Sequence, residues 1–198
     1  MSERVRIPGD RRLDATVDAP DAAACVVACP PHPRMGGSRS DARLRAVGGA
    51  LADEGVACLR FDYGPWDEGD AERGDVRDAL AYARERHDPV GLFGYSFGAG
   101  VALLAAAAAD PDPAVVAVLA PPATVGPFDT VAAIDAIDAP LTVVYGERDT
   151  TVDWEPVVER ARERGATVEA VPGDHFFVGQ VDAAASAVTG SLAGLTDR

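Results

Sequence analysis

The chain contains no lysine; all 18 of its basic residues are arginine. That absence removes several chemistries, because a phosphate-binding P-loop, a pyridoxal Schiff base and a Ser-x-x-Lys acyl-transfer site each need the missing amine. Cysteine is scarce as well, with three in 198 residues. Cys25 and Cys29 fall in one strand-like run, on one face but roughly 13 Å apart, too far to bridge. With Cys58 they read as buried thiols of a reducing cytoplasm, and metal-ligand spacing is absent. Long apolar runs are also missing, since acidic residues and prolines break each one, so no segment reads as a membrane span. Arg11 and Arg12 form a pair, but Asp14, Asp18 and Asp21 interrupt the stretch that follows, and an export signal is not expected.

What is abundant is negative charge. Against 18 arginines stand 32 acidic residues, giving a formal net charge of -14. Such a surface repels phosphate backbones and anionic bilayers, which excludes nucleic acid and membrane surfaces as expected partners. The acid excess is spread along the chain. Abundant Asp, heavy use of Ala and Arg in place of Lys resemble the composition of proteins from extreme halophiles, and imply a salt-adapted surface.

Two short strand-like runs, Val5–Ile7 and Leu13–Val17, are joined by the turn Pro8-Gly9-Asp10. Six Val-rich runs follow, at Ala24–Cys29, Val56–Phe61, Val90–Phe93, Val115–Ala120, Leu141–Tyr145 and Thr167–Val171. Their low internal polarity predicts strands buried on both faces, as in a parallel sheet. Helices are expected between them at Asp41–Asp53, Asp75–His87, Phe97–Ala109 and Trp154–Arg164, with Val181–Leu195 closing the chain. The alternation predicts a doubly wound, mostly parallel α/β sheet of about eight strands with helices on both faces. No Ser/Gly/Pro linker divides residues 1–198, so one domain is expected.

In open α/β sheets ligands sit beyond the carboxyl ends of the strands. There Gly94-Tyr95-Ser96-Phe97-Gly98 follows an apolar strand and opens an Ala-rich helix, the context that G-x-S-x-G requires of a nucleophile elbow. A serine needs a base. Of three histidines, His87 falls at a helix C-terminus as a surface residue, His32 precedes the serine, and His175 follows the last strand. Asp149, after the strand Leu141–Tyr145, is the best partner for His175; Asp153 is weaker, and Asp174 adjoins the histidine too closely in sequence. The chain order Ser96, Asp149, His175 is that of the α/β-hydrolase triad.

With these residues in place the chain resembles the α/β-hydrolases, and more narrowly the small lidless hydrolases related to dienelactone hydrolase. The resemblance rests on Pro30-Pro31-His32-Pro33-Arg34-Met35-Gly36-Gly37, similar to an HPHP-x-x-GG signature, on the serine elbow and on Gly173-Asp174-His175-Phe176-Phe177. Pro30 stands where that signature has its first histidine, and the elbow carries serine where dienelactone hydrolases proper use cysteine. The resemblance implies an oxyanion hole of two backbone N–H groups, one from Phe97 and one from the loop after the first core strand. Pro33 lacks an N–H, which points to Arg34, with Met35 second. It also implies no cofactor.

Between Ala120 and Pro140 there is room for a loop and one short helix, not for a large cap domain. A capless site suits small or exposed esters better than long acyl chains. His32, Met35, Trp66, Phe128 and Phe176 are the expected pocket residues. The expected protein is therefore a cytoplasmic serine hydrolase acting on a small-molecule ester or thioester. A binding protein of the same fold, and an acyltransferase or peptidase on the same triad, are the alternatives. The salt-adapted reading predicts that melting temperature and activity both rise from dilute buffer to molar KCl. Equal values in the two buffers would remove it.

Overall fold

The computed structural model describes residues 1–197. Eight strands form one sheet in the order β1-β2-β4-β3-β5-β6-β9-β10. The hairpin of β1 (Ser2–Ile7) and β2 (Leu13–Asp18) is antiparallel, and β2 runs antiparallel to β4 (Ala57–Phe61). From β4 onward every neighbour is parallel, through β3 (Cys25–Cys29), β5 (Val90–Tyr95), β6 (Val116–Leu119), β9 (Leu141–Gly146) and β10 (Thr167–Val171).

Period-two alternation sends each central strand's side chains into two cores. Val27, Leu92 and Val118 face α2 (Asp70–Arg84) and α3 (Phe97–Ala106), while Val26, Phe93 and Leu119 face α1 (Ala42–Asp53) and α6 (Val181–Leu192). The central strands are buried on both faces, as expected. Strand β10 is not: at the sheet edge, Thr167, Glu169 and Ala170 are exposed and only Val171 is buried. A Val-rich run does not distinguish an edge from a centre.

Helix α2 begins five residues before the expected Asp75. Glu72, fully buried, reaches back to accept from the Gly69 amide at 2.8 Å and the Asp67 amide at 2.9 Å, which caps the helix at Gly69. Its end comes earlier too, at Arg84, and α3 stops at Ala106. His87 is buried rather than on the surface, because its Nδ1 is 2.8 Å from the Ala22 carbonyl oxygen in the loop before β3. The segment after β6 holds a small hairpin of β7 (Thr124–Val125) and β8 (Phe128–Asp129), then α4 (Thr130–Ala133). Helix α5 (Glu155–Glu163) follows β9.

One approach of backbone to backbone positions the site. A Cβ on Gly98 would lie 2.3 Å from the Cys29 carbonyl oxygen and 2.4 Å from that of Pro30, and one on Gly94 would lie 2.2 Å from the Gly98 carbonyl oxygen. Only glycine lets the first turn of α3 sit against the end of β3. Gly98→Ala is expected to destabilise the fold by about 1–3 kcal/mol, read as a lower urea midpoint with unchanged slope.

Candidate active site

Strand β5 ends at Tyr95, and Ser96 takes φ 56° and ψ -123° before α3 begins. A non-glycine residue held there is strained, and the surrounding bonds hold it. The Ser96 amide donates to Leu119 of β6 at 2.9 Å, and its carbonyl accepts from Ala99 at 2.8 Å and Gly100 at 3.2 Å. The sharp turn carries the hydroxyl out of the sheet, and the Ser96 Oγ lies 2.8 Å from His175 Nε2.

His175 follows β10. Asp174 shapes its loop by accepting from the amides of Phe176 at 3.0 Å and Val178 at 3.4 Å, so the Asp174 carboxylate is turned away from the imidazole. Asp149, after β9, supplies that contact: its Oδ2 is 2.7 Å from His175 Nδ1. Its Oδ1 accepts from the Thr151 amide at 2.8 Å and the Val152 amide at 3.4 Å. Burial pushes the Asp149 carboxyl up, but the His175 and Thr151 hydrogen bonds, the histidine's charge and the Val152 amide together outweigh it and hold the group below its ordinary range. Asp153 makes no such contact; its backbone carbonyl accepts from the Ala123 amide at 2.8 Å. Thus three residues from three strand ends, Ser96, Asp149 and His175, form one hydrogen-bonded chain.

Tyr95, which sequence reasoning passed over, braces that chain. Its phenol donates to the His175 carbonyl at 3.0 Å, and its ring lies 5.7 Å from the imidazole. The Arg43 guanidinium covers the ring at 4.7 Å and is held by Asp41 at 2.7 Å. Burial pushes the Tyr95 phenol up to about 12, so it remains a donor across the working pH range. The one signal available in the sequence was its position directly before the elbow serine.

A cavity of about 430 Å³ opens on Ser96. Of the expected pocket residues, His32, Met35, Trp66 and Phe176 line it. Phe128 does not; it sits in the β7–β8 hairpin beneath the Arg73 guanidinium, 3.9 Å from its ring, and Thr124 and Val125 of that hairpin line the cavity instead. His32 packs against Trp66 at 4.4 Å and Phe97 at 5.0 Å between ring centres.

In the loop after β3 the Arg34 amide has an acceptor of its own. The Arg34 side chain is exposed and outside the cavity, and the amide donates to His32 Nδ1 at 3.2 Å. The Met35 and Gly37 amides both donate to the His32 carbonyl, at 3.0 and 3.1 Å, and Gly36 donates to Pro33 at 3.2 Å. Pro30, Pro31 and Pro33 have no N–H. Among the described residues of this turn, the His32 amide is the one left without an acceptor.

Among the described residues no group of three His, Cys, Asp or Glu side chains is placed to hold a metal ion, and no helix is long and apolar enough to cross a membrane. Cys25, Cys29 and Cys58 are buried and free, and burial pushes all three thiols up, which leaves them poor nucleophiles.

The mostly parallel sheet with a strained serine between β5 and α3 defines an α/β-hydrolase without a lid. A model of the dienelactone hydrolase family matches residues 65–171, more than half of the chain. The chain belongs to that family, and is a hydrolase of the class acting on ester bonds. The matched segment includes Ser96 and Asp149 and stops short of His175. Among solved structures, a lidless α/β serine hydrolase from Xanthomonas campestris is 27% identical over 96% of this chain and 93% of its own, with a TM-score of 0.82. An α/β serine hydrolase homologue from Coxiella burnetii is 25% identical, covering 95% and 96% of the two chains at a TM-score of 0.82. A dienelactone hydrolase from Anabaena variabilis shares the fold at 20% identity, over 100% and 97% of the chains, with a TM-score of 0.78. No curated protein matches the chain.

Tyr95→Phe removes the donor to a buried carbonyl. It is expected to cost about 1–2 kcal/mol in urea unfolding and to lower kcat several-fold, with KM little changed.

Proposed function

We propose that the chain hydrolyses a small carboxylic ester or thioester through Ser96, His175 and Asp149. The observation that carries this reading is the unbroken path from the Ser96 hydroxyl through both imidazole nitrogens to the buried Asp149 carboxylate. His175 takes the hydroxyl proton at Nε2 as Ser96 Oγ bonds to the ester carbonyl carbon. Asp149 fixes the tautomer with Nδ1 protonated and stabilises the imidazolium that results. His175 then passes the proton to the departing alcohol or thiol. Water repeats the sequence on the acyl-enzyme and releases the acid.

The negative oxygen of each tetrahedral intermediate needs donors that are already in place. The Phe97 amide, first in α3, has no carbonyl four residues back to satisfy it and lies at the positive end of the helix dipole. The His32 amide is the second donor in this reading, replacing Arg34, because the other amides of its turn are engaged. The close crossing of Gly98 with Cys29 and Pro30 brings the two segments side by side.

Ser96→Ala is expected to lower kcat about 10⁴- to 10⁶-fold and to abolish labelling by a fluorescent fluorophosphonate. A folded wild-type protein that takes no label, or a variant keeping a tenth of the turnover, would overturn the assignment.

A further inference from the structure

The charges and exposed apolar groups around Ser96 say more about what enters the site. Among the described residues lining the cavity, the formally charged side chains are Asp41 and Arg43, and they pair with each other at 2.7 Å. The Arg43 Nε is buried without an acceptor, its Nη2 is taken by Asp41, and its guanidinium lies over the Tyr95 ring. Arg34 lies outside the cavity. His32 has its Nδ1 occupied as an acceptor by the Arg34 amide, the bonding of a neutral ring. Burial first, and the Arg34 charge second, hold its pKa below the ordinary histidine value against the opposing pull of Glu72. The remaining wall is largely apolar, with Trp66, Phe97, Val125 and Val152. A carboxylate entering here would lose its water without gaining an unpaired cation, and it would approach against a net charge of -14.

The exposed apolar groups are as selective in their placement. Apart from the terminal Met1, the large hydrophobic residues exposed among those described are Met35 at 82%, Phe176 at 50% and Val178 at 77%. Met35 and Phe176 line the cavity from two different loops, and Val178 lies two residues after Phe176 in the turn bearing His175. On an otherwise acidic chain, two of these three side chains line the cavity and the third stands two residues along the chain from one of them. An apolar patch continuous with a cavity is covered most simply by the part of the substrate that the cavity does not hold.

We infer that the Ser96 site takes uncharged esters whose apolar group extends from the cavity onto a rim of Met35, Phe176 and Val178, and that it discriminates against esters carrying a carboxylate. The inference rests on the proposed hydrolase reading of the same site and narrows its substrate class. It also departs from the expectation that a capless site suits small or exposed esters better than long acyl chains, because the rim supplies the surface that a lid would otherwise provide.

The test compares p-nitrophenyl butyrate with mono-p-nitrophenyl succinate, of equal carbon count but ending in a carboxylate, and then runs p-nitrophenyl esters from acetate to octanoate. Wild type is expected to cleave the butyrate at least about ten-fold more efficiently in kcat/KM than the succinate, and to gain efficiency from acetate towards octanoate. In the Met35→Ser/Val178→Ser double variant the octanoate-to-acetate ratio of kcat/KM should fall about 5- to 10-fold, the scale of losing one or two buried methylenes. Equal cleavage of the succinate, or a succinate activity lost selectively in Arg43→Gln, overturns the inference. So does a chain-length profile that the double variant leaves unchanged, or a shift in sedimentation on that substitution, which would assign the rim to a second copy of the chain. Fluorophosphonate labelling separates the two levels. A labelled enzyme failing these comparisons refutes the substrate class alone, whereas a folded protein without label refutes the hydrolase reading along with it.

Discussion

Because a Cβ on Gly98 would lie 2.3 Å from the Cys29 carbonyl oxygen, the end of β3 and the start of α3 can touch only where the side chain is missing. Much of the site is downstream of that contact. It turns the chain sharply at Ser96 and forces the serine into positive φ. It also aims the open amides of α3 at the same space as the loop after β3. The strain is local and is held by the sheet on one side, through Leu119, and by the first turn of the helix on the other.

A second constraint is electrostatic. A protein with 32 acids and 18 arginines has few cations to set beside the carboxylates it buries. Here the arginines near the interior serve as partners. Arg60 on β4 holds Asp18 of β2 at 2.7 and 3.0 Å and also donates to the Arg39 carbonyl. Arg39 in turn holds Asp62. The Asp41–Arg43 pair at the start of α1 backs Tyr95, and Tyr95 backs His175. The acidic character is thus concentrated on the exposed faces, while each of these partly buried carboxylates has a guanidinium beside it. Breaking such a pair leaves an uncompensated charge, so their value lies in specifying geometry more than in net stability.

The sheet and the placing of Ser96, Asp149 and His175 at strand ends were legible in the sequence for physical reasons. Runs such as Cys25–Cys29 and Val116–Leu119 have no polar residue to place at a surface, and the residues after them turn at the carboxyl ends of the strands. Ser96, Asp149 and His175 each follow a strand, so topology alone brings them to one end. Contacts that depend on which way a loop folds back were not legible. Nothing local to Arg34 announces that its amide is taken by the preceding histidine ring. The burial of His87 depends on a carbonyl 65 residues away. Phe128 looked like a pocket residue because an aromatic in a loop over the site is compatible with it, yet the two-residue strand pairing of β8 turns it towards Arg73. Strand β10 reads like its neighbours, because edge position is a property of the assembled sheet.

The proposed reacting groups and most of the surrounding wall are carried by different parts of the chain. Ser96, Asp149 and His175 hang from the ends of β5, β9 and β10, whereas Met35, Trp66 and Val125 belong to the segments after β3, β4 and β6. Tyr95 and Phe97 beside the serine, Thr151 and Val152 after the aspartate, and Phe176 beside the histidine are the exceptions. This separation makes the scaffold modular. Changes in the three wall-forming segments can alter which molecules fit while the proton path keeps its hydrogen bonds, so appetite and chemistry are free to diverge at different rates under selection.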